Sequence, residues 1–130
     1  MIEQLHESAV QALQQDQSVT MLNLMKFHQQ SRDGDGSGWD AYVRYSQLAN
    51  KEIKARGGRI IWAANVRGVA LGPDSAGDWD YAALVYYPDP NAFLDMMTSD
   101  AYGLANRHRT NGCKEHLILA TEVAYSKLAD

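Results

Sequence analysis

The spacing of apolar residues changes period several times along the chain, and each change marks an element. Ile2, Leu5, Ala9, Ala12 and Leu13 recur at helical spacing with Glu and Gln between them, which predicts an amphipathic helix ending near Asp16. Its narrow apolar stripe suits packing on this chain or on a neighbour. The stretch SVTMLNLMKFH then reads as a strand, and QQSRDGDGSG as a flexible loop rich in Gly, Ser and Asp. From Trp39 the period returns to helical. Trp39, Tyr42, Val43, Ser46, Ala49 and Ile53 share a face, Ser37 or Gly38 suits the cap, and Gly57-Gly58 stop the helix. RIIWAANVRGVAL and WDYAALVYYP are two further strands joined through GPDSAGD, so they predict a hairpin. Pro88-Asp89-Pro90 closes it and opens a helix from Asn91 to about Met97. Ser99 or Asp100 caps another helix, Asn111-Gly112 end it, and HLILATEVAY is the last strand.

The order is β-α-β-β-α-β after an extra helix, the plan of an α+β ferredoxin-like fold with a four-stranded antiparallel sheet. Residues 1–17 form an N-terminal helical extension on this reading, and residues 18–130 the ferredoxin-like domain. The strands are apolar on both faces. Met21, Met25 and Phe27 stand opposite Leu22 and Leu24 in the first strand. In the last, Leu117, Leu119 and Val123 stand opposite Ile118 and Ala120. Helices cover only one face, so the other needs a second cover, and a second copy's sheet is the simplest one. A homodimer is therefore expected.

Composition narrows the setting. With 130 residues the chain is one domain long and can bury a core without staples. A net charge of −4 disfavours nucleic acid and anionic membranes as partners. Cys113 is the sole cysteine, which excludes an internal disulfide and fits a reducing compartment. No signal-peptide pattern or membrane-length apolar run is present, so the expectation is a cytoplasmic protein.

Known reaction motifs are absent. Four histidines, His6, His28, His108 and His116, form no His-x-x-x-His pair, and there is no Cys-x-x-Cys, so no metal site is expected. In the loop DGDGSGW, Asp33, Asp35, Ser37 and Gly38 match the start of a calcium loop, but its twelfth position is Arg44 rather than a bidentate Glu. What remains is a loop with the character of a lid. No phosphate-binding loop, dinucleotide fingerprint or nucleophile elbow occurs, and no cofactor is expected.

Candidate chemistry therefore rests on scattered polar residues. Asn23 sits mid-strand with apolar residues on both sides, and leaving its carboxamide unpaired would cost about 1–3 kcal/mol. It is either a structural anchor or the floor of a pocket. Arg107-His108-Arg109 closes the last helix, where cations offset the helix dipole or clamp an anion. His108 is the member able to pass protons near neutral pH, although adjacent helix positions diverge by about 100° and cannot all face one ligand. Tyr42, Tyr45, Tyr81, Tyr86, Tyr87 and Tyr102 supply core or pocket aromatics, with Tyr45 lying off the face of Tyr42, Ala49 and Ile53. Trp79 opens the third strand, where it suits packing or a cavity rim. Asp80 needs a partner, for which Lys26 is available across the sheet. Glu122 becomes a pocket base if it faces the helices.

Several segments together, VTMLNLMKF, YVRYSQLANKEIKARGGRIIW, WDYAALVYYPDPNAFLDMMTSDAY and NRHR, resemble the DUF1330 family of unknown function in the dimeric α+β barrel superfamily. The resemblance runs from about Val19 to Tyr125. It implies a dimer whose sheets face each other and a small-molecule pocket between each sheet and its own helices, with no assigned reaction. It also draws Asn23 and Tyr45 toward that pocket. On this basis Asn23, Tyr45, Trp79 and Arg107 are the candidate ligand-binding residues, and Asn23, Tyr45, His108 and Arg107 the candidate catalytic ones. The reading is a small-molecule-binding protein or cofactor-independent enzyme acting on an anionic or aromatic organic ligand. Alternatives are an accessory or carrier protein docking through the first helix, and a haem-binding or haem-degrading monooxygenase using Asn23, Trp79 and His108.

Overall fold

The computed structural model describes residues 4–128. Its elements are α1 (Glu7–Gln11), β1 (Val19–Phe27), α2 (Gly38–Ala55), β2 (Arg59–Asn65), β3 (Tyr81–Tyr87), α3 (Pro90–Met97), α4 (Asp100–Gly112) and β4 (Cys113–Thr121), with one 3-10 turn at Asp74–Ala76. The strands form one antiparallel sheet in the order β2-β3-β1-β4. This is the expected ferredoxin-like α+β architecture.

Local chemistry accounts for the helix ends. Ser37 is the cap of α2, in a reciprocal box with Asp40, and Gly57 leaves the helix at φ +80°. Asp89 and Ser99 cap α3 and α4 by accepting from the backbone N–H of Ala92 and Tyr102. Gly38 and Gly112 have a different task. A Cβ on Gly38 would fall 2.0 Å from the His28 carbonyl oxygen, and one on Gly112 would fall 2.5 Å from the Gly38 carbonyl oxygen. The His28 N–H donates to Gly112 at 2.8 Å, and the Gly38 N–H donates to His28 at 3.1 Å. The start of α2, the end of α4 and the end of β1 are thus drawn together at backbone distance.

Several expectations need correction. β2 stops at Asn65 rather than running to Leu71, because β3 begins only at Tyr81; a last bond from the Val66 N–H to the Asp80 carbonyl, 2.9 Å, closes the pairing. Trp79 consequently precedes the strand instead of opening it. The buried stripe of α2 is Gly38, Ala41, Tyr45, Ala49 and Ile53, so Tyr45 lies in the middle of the packed face and Trp39 is half exposed. The loop before α2 is tied down. Asp33 accepts from Ser31, from the Asp35 N–H and from Asn111, while the Arg32 N–H donates to the Asn111 carbonyl and Arg44 to the Asp35 carbonyl. The N-terminal helix spans only Glu7–Gln11 and packs on this chain's α3; Val10 joins the core, with Leu5 and Leu13 against it. Ile2 of the expected helix lies outside the described residues.

The register settles which face each strand residue occupies. Met21 pairs with Val85 and Ala120, Asn23 with Ala83 and Ile118, and Met25 with Tyr81 and His116. Met21, Val85 and Tyr87 from this face enter the core with Tyr45, Ile53, Phe93, Met97 and Tyr102 of the helices. On the opposite face Leu22 pairs with Leu84 and Leu119, and Leu24 with Ala82 and Leu117. That face is open: Trp62, Leu117 and Leu119 are 42%, 40% and 45% exposed. Among the described residues no helix is long and apolar enough to cross a membrane.

Candidate functional site

A cavity of about 80 Å³ lies between the sheet and α2 and α3. β1 contributes Met21 and Asn23, α2 contributes Tyr42, Tyr45, Ser46, Ala49 and Ile53, and β4 contributes His116 and Ile118. Tyr81 and Ala83 of β3 and Phe93 and Met97 of α3 complete most of the wall. Ile60, 40% exposed, also lines it and marks the side nearest solvent. The volume is well below the roughly 300–1,000 Å³ of drug-sized sites, so the cavity as it stands suits a compact molecule. No carboxylate, lysine or arginine side chain lines it among the described residues.

Asn23 belongs to a hydrogen-bonded chain that runs from the cavity to α4. Its Oδ1 lies 2.8 Å from His116 Nε2, and His116 Nδ1 lies 3.2 Å from Arg109 Nη1. Arg109 is in turn held by Asn106, whose Oδ1 accepts from its Nε at 2.7 Å. At the other end Asn23 Nδ2 donates to the Met21 carbonyl at 3.2 Å. Guanidinium groups only donate, so His116 Nδ1 must be the bare nitrogen and Nε2 must carry the proton. Nε2–H then donates to Asn23 Oδ1. Burial, reinforced by the positive charge of Arg109, pushes the His116 pKa down to about 3, which keeps the ring neutral.

Tyr42, Tyr45 and Tyr102 are also held in their neutral form. Tyr45 and Tyr102 share a hydrogen bond of 2.8 Å between their hydroxyls, and burial raises both pKa values. Tyr42 is raised chiefly by burial, with Tyr81 nearby adding to it. Phe27, Trp39, Tyr42 and Tyr81 form an aromatic cluster with ring centroids 5.1–6.2 Å apart. Burial pushes the Cys113 thiol up to about 11, the behaviour of a packed residue rather than a thiolate nucleophile. Hydroxyl- and amide-bearing residues line this wall, and the one bare imidazole nitrogen on it, His116 Nδ1, is held by Arg109.

Of the residues singled out from the sequence, the structure brings Asn23 and Tyr45 to the cavity. Arg107 is exposed on α4, and neither it, His108 nor Trp79 lines the cavity. Trp79 lies under Lys26 Nζ, 4.8 Å from the ring centroid. Lys26 is 3.3 Å from Glu115, not paired with Asp80, which accepts from the Phe27 N–H at 2.8 Å. Glu122 is exposed beyond the end of β4 and does not line the cavity. The residue that sequence reasoning missed is His116. The alternation of Leu117 and Leu119 outward against Ile118 inward, carried one step back, places His116 inward. The basic cluster does act near the site, but through Arg109.

No family model matches the chain, and no curated protein matches it. Solved structures do share its fold. A protein of unknown function from Rhodopseudomonas palustris is similar over 92% of both chains, with a TM-score of 0.83 and 21% identity. An N63A mutant of SnoaB, a cofactor-independent oxygenase from Streptomyces nogalater, is similar over 85% of this chain and 96% of its own, with a TM-score of 0.56 and 13% identity. A hydroxynitrile lyase from Passiflora edulis is similar over 85% of this chain and 97% of its own, also at 0.56 and 13%. At these identities the likeness is one of fold.

Proposed function

We propose that this protein binds a small organic ligand in the cavity between its sheet and α2, as a binding protein or a cofactor-independent enzyme. The observation that carries this reading is the chain Arg109–His116–Asn23, which brings an oriented amide to a cavity lined mainly by apolar and aromatic residues. A protein core does not ordinarily retain such a series of partly buried polar groups without satisfying each one, and here the series ends at open space. The fold is shared with a cofactor-independent oxygenase and a hydroxynitrile lyase, which supports reaction chemistry on this scaffold without naming the reaction. If a reaction occurs, the ligand itself or an incoming molecule supplies the base, because the bare nitrogen of His116, Nδ1, is taken by Arg109 and its Nε2–H by Asn23. Asn23 and the tyrosine hydroxyls would stabilise charge developing on an oxygen.

The working form in this reading is a homodimer of DUF1330-like proteins, closed over the open sheet face of Leu22, Leu24, Trp62, Leu117 and Leu119. An accessory role through α1 is less favoured, since Leu5, Val10 and Leu13 are already spent on this chain's core. A haem role is disfavoured by geometry: Asn23 alone of its three candidates lines the cavity, and both ring nitrogens of His116 are occupied.

Native mass spectrometry of the purified protein, followed by denaturing analysis, tests the proposal. The expected result is a dimer with a dissociable small molecule, whose retention is lost in Asn23→Ala without comparable loss of melting temperature. Retention unchanged in a folded Asn23→Ala would overturn the role of the cavity.

A further inference from the structure

The polarity of the cavity is decided at one group. Tyr42, Ser46 and Tyr81 line the wall, and a hydroxyl can donate or accept, so theirs impose no choice on a ligand. Asn23 does impose one. Its Oδ1 is taken by His116 Nε2–H, and one hydrogen of Nδ2 is taken by the Met21 carbonyl. The second Nδ2 hydrogen is left without a partner on a residue that lines the cavity; Oδ1 keeps a spare lone pair, but an oxygen that already accepts one bond tolerates that more readily than an N–H tolerates having none. A flipped amide would set its NH2 against the protonated Nε2 and its oxygen against the Met21 carbonyl. That arrangement is closed as long as Arg109 keeps the proton off Nδ1.

We infer that Arg109 is a positioning residue for the cavity, locking the His116 tautomer so that Asn23 offers an N–H, and that the ligand is therefore a compact, uncharged molecule with a carbonyl-type oxygen. This rests on the cavity being the binding site. An acceptor oxygen pairs the remaining Asn23 N–H, whereas an ammonium or other obligate donor would leave it unpaired and meet it donor to donor. A carboxylate is disfavoured by the absence of a cation on the wall: the guanidinium of Arg109 stands behind the imidazole and is bonded to it.

Two probes of matched shape test this, cyclopentanone and methylenecyclopentane, which differ in the acceptor oxygen. Both are titrated into protein labelled with 15N, with binding read from chemical shifts. In the wild type, long-range proton–nitrogen spectra are expected to show His116 neutral with the proton on Nε2. Cyclopentanone is expected to shift the Asn23 side-chain amide, and methylenecyclopentane to shift only apolar neighbours. In Arg109→Met the preference for cyclopentanone over methylenecyclopentane should fall several-fold, as one hydrogen bond of fixed orientation is lost, together with the single-tautomer signature. A His116 proton on Nδ1, or a charged ring at neutral pH, in the wild type overturns the inference even if Arg109→Met does not fold. So does an unchanged probe preference in a folded Arg109→Met. Cyclopentanone moving cavity resonances but not the Asn23 amide overturns the donor assignment and leaves the binding site intact. No cavity shift with either probe overturns both.

Discussion

His116 makes the stability of this protein respond to acid in a way that can be assigned to one side chain. Its ordinary pKa of 6.5 falls to about 3 in the folded protein, through burial first and the Arg109 charge second. As pH drops below 6.5 the unfolded chain takes a proton at His116 while the folded one does not. Stability is therefore unaffected by this residue above pH 6.5 and is lost progressively as pH falls toward about 3. At pH 5 the gap of about 1.5 units corresponds to a loss of about 2 kcal/mol, at roughly 1.4 kcal/mol per unit. His116→Gln removes the titration and keeps a donor for Asn23 and an acceptor for Arg109. Urea unfolding of both proteins at pH 7 and pH 5, at one fixed protein concentration, isolates the effect, because the carboxylates and other histidines contribute alike to both. The wild type should lose about 2 kcal/mol more than the variant between the two pH values. Equal losses would mean that His116 is not held neutral, and the chain of bonds from Arg109 to Asn23 would not exist as described.

Other outcomes follow from the same geometry. Gly38→Ala places a methyl group 2.0 Å from the His28 carbonyl oxygen, against backbone that cannot swing aside, and should cost about 3 kcal/mol or more in chemical unfolding. Ser37→Ala breaks the reciprocal cap of α2 and should cost about 1 kcal/mol, also read from chemical unfolding. Sedimentation at micromolar concentration should find a dimer, and Leu119→Asp together with Trp62→Glu should yield a folded monomer or weaken association at least tenfold. A wild-type monomer would leave the open sheet face without its proposed cover.

Much of this molecule was legible before its structure. Sequence periodicity determined the element order, the hairpin, the ends of α2 and α4 and the two-faced apolar sheet, because these depend on neighbours within a few residues. It also singled out Asn23, since a carboxamide between Leu22 and Leu24 is locally anomalous whatever the fold. What it left open was the direction Asn23 faces and the partner it finds. His116 is 93 positions away in sequence, and only the pairing of β1 with β4 brings its ring to 2.8 Å. The choice among Arg107, His108 and Arg109 was equally a tertiary matter, since three successive helix positions point in three directions and packing on β4 selects one. Local pattern could not reveal that Gly38 and Gly112 make room for each other, nor that Trp79 lies away from the cavity. These facts depend on distances between segments far apart in the chain, and such distances exist only once the sheet and helices have closed on a common core.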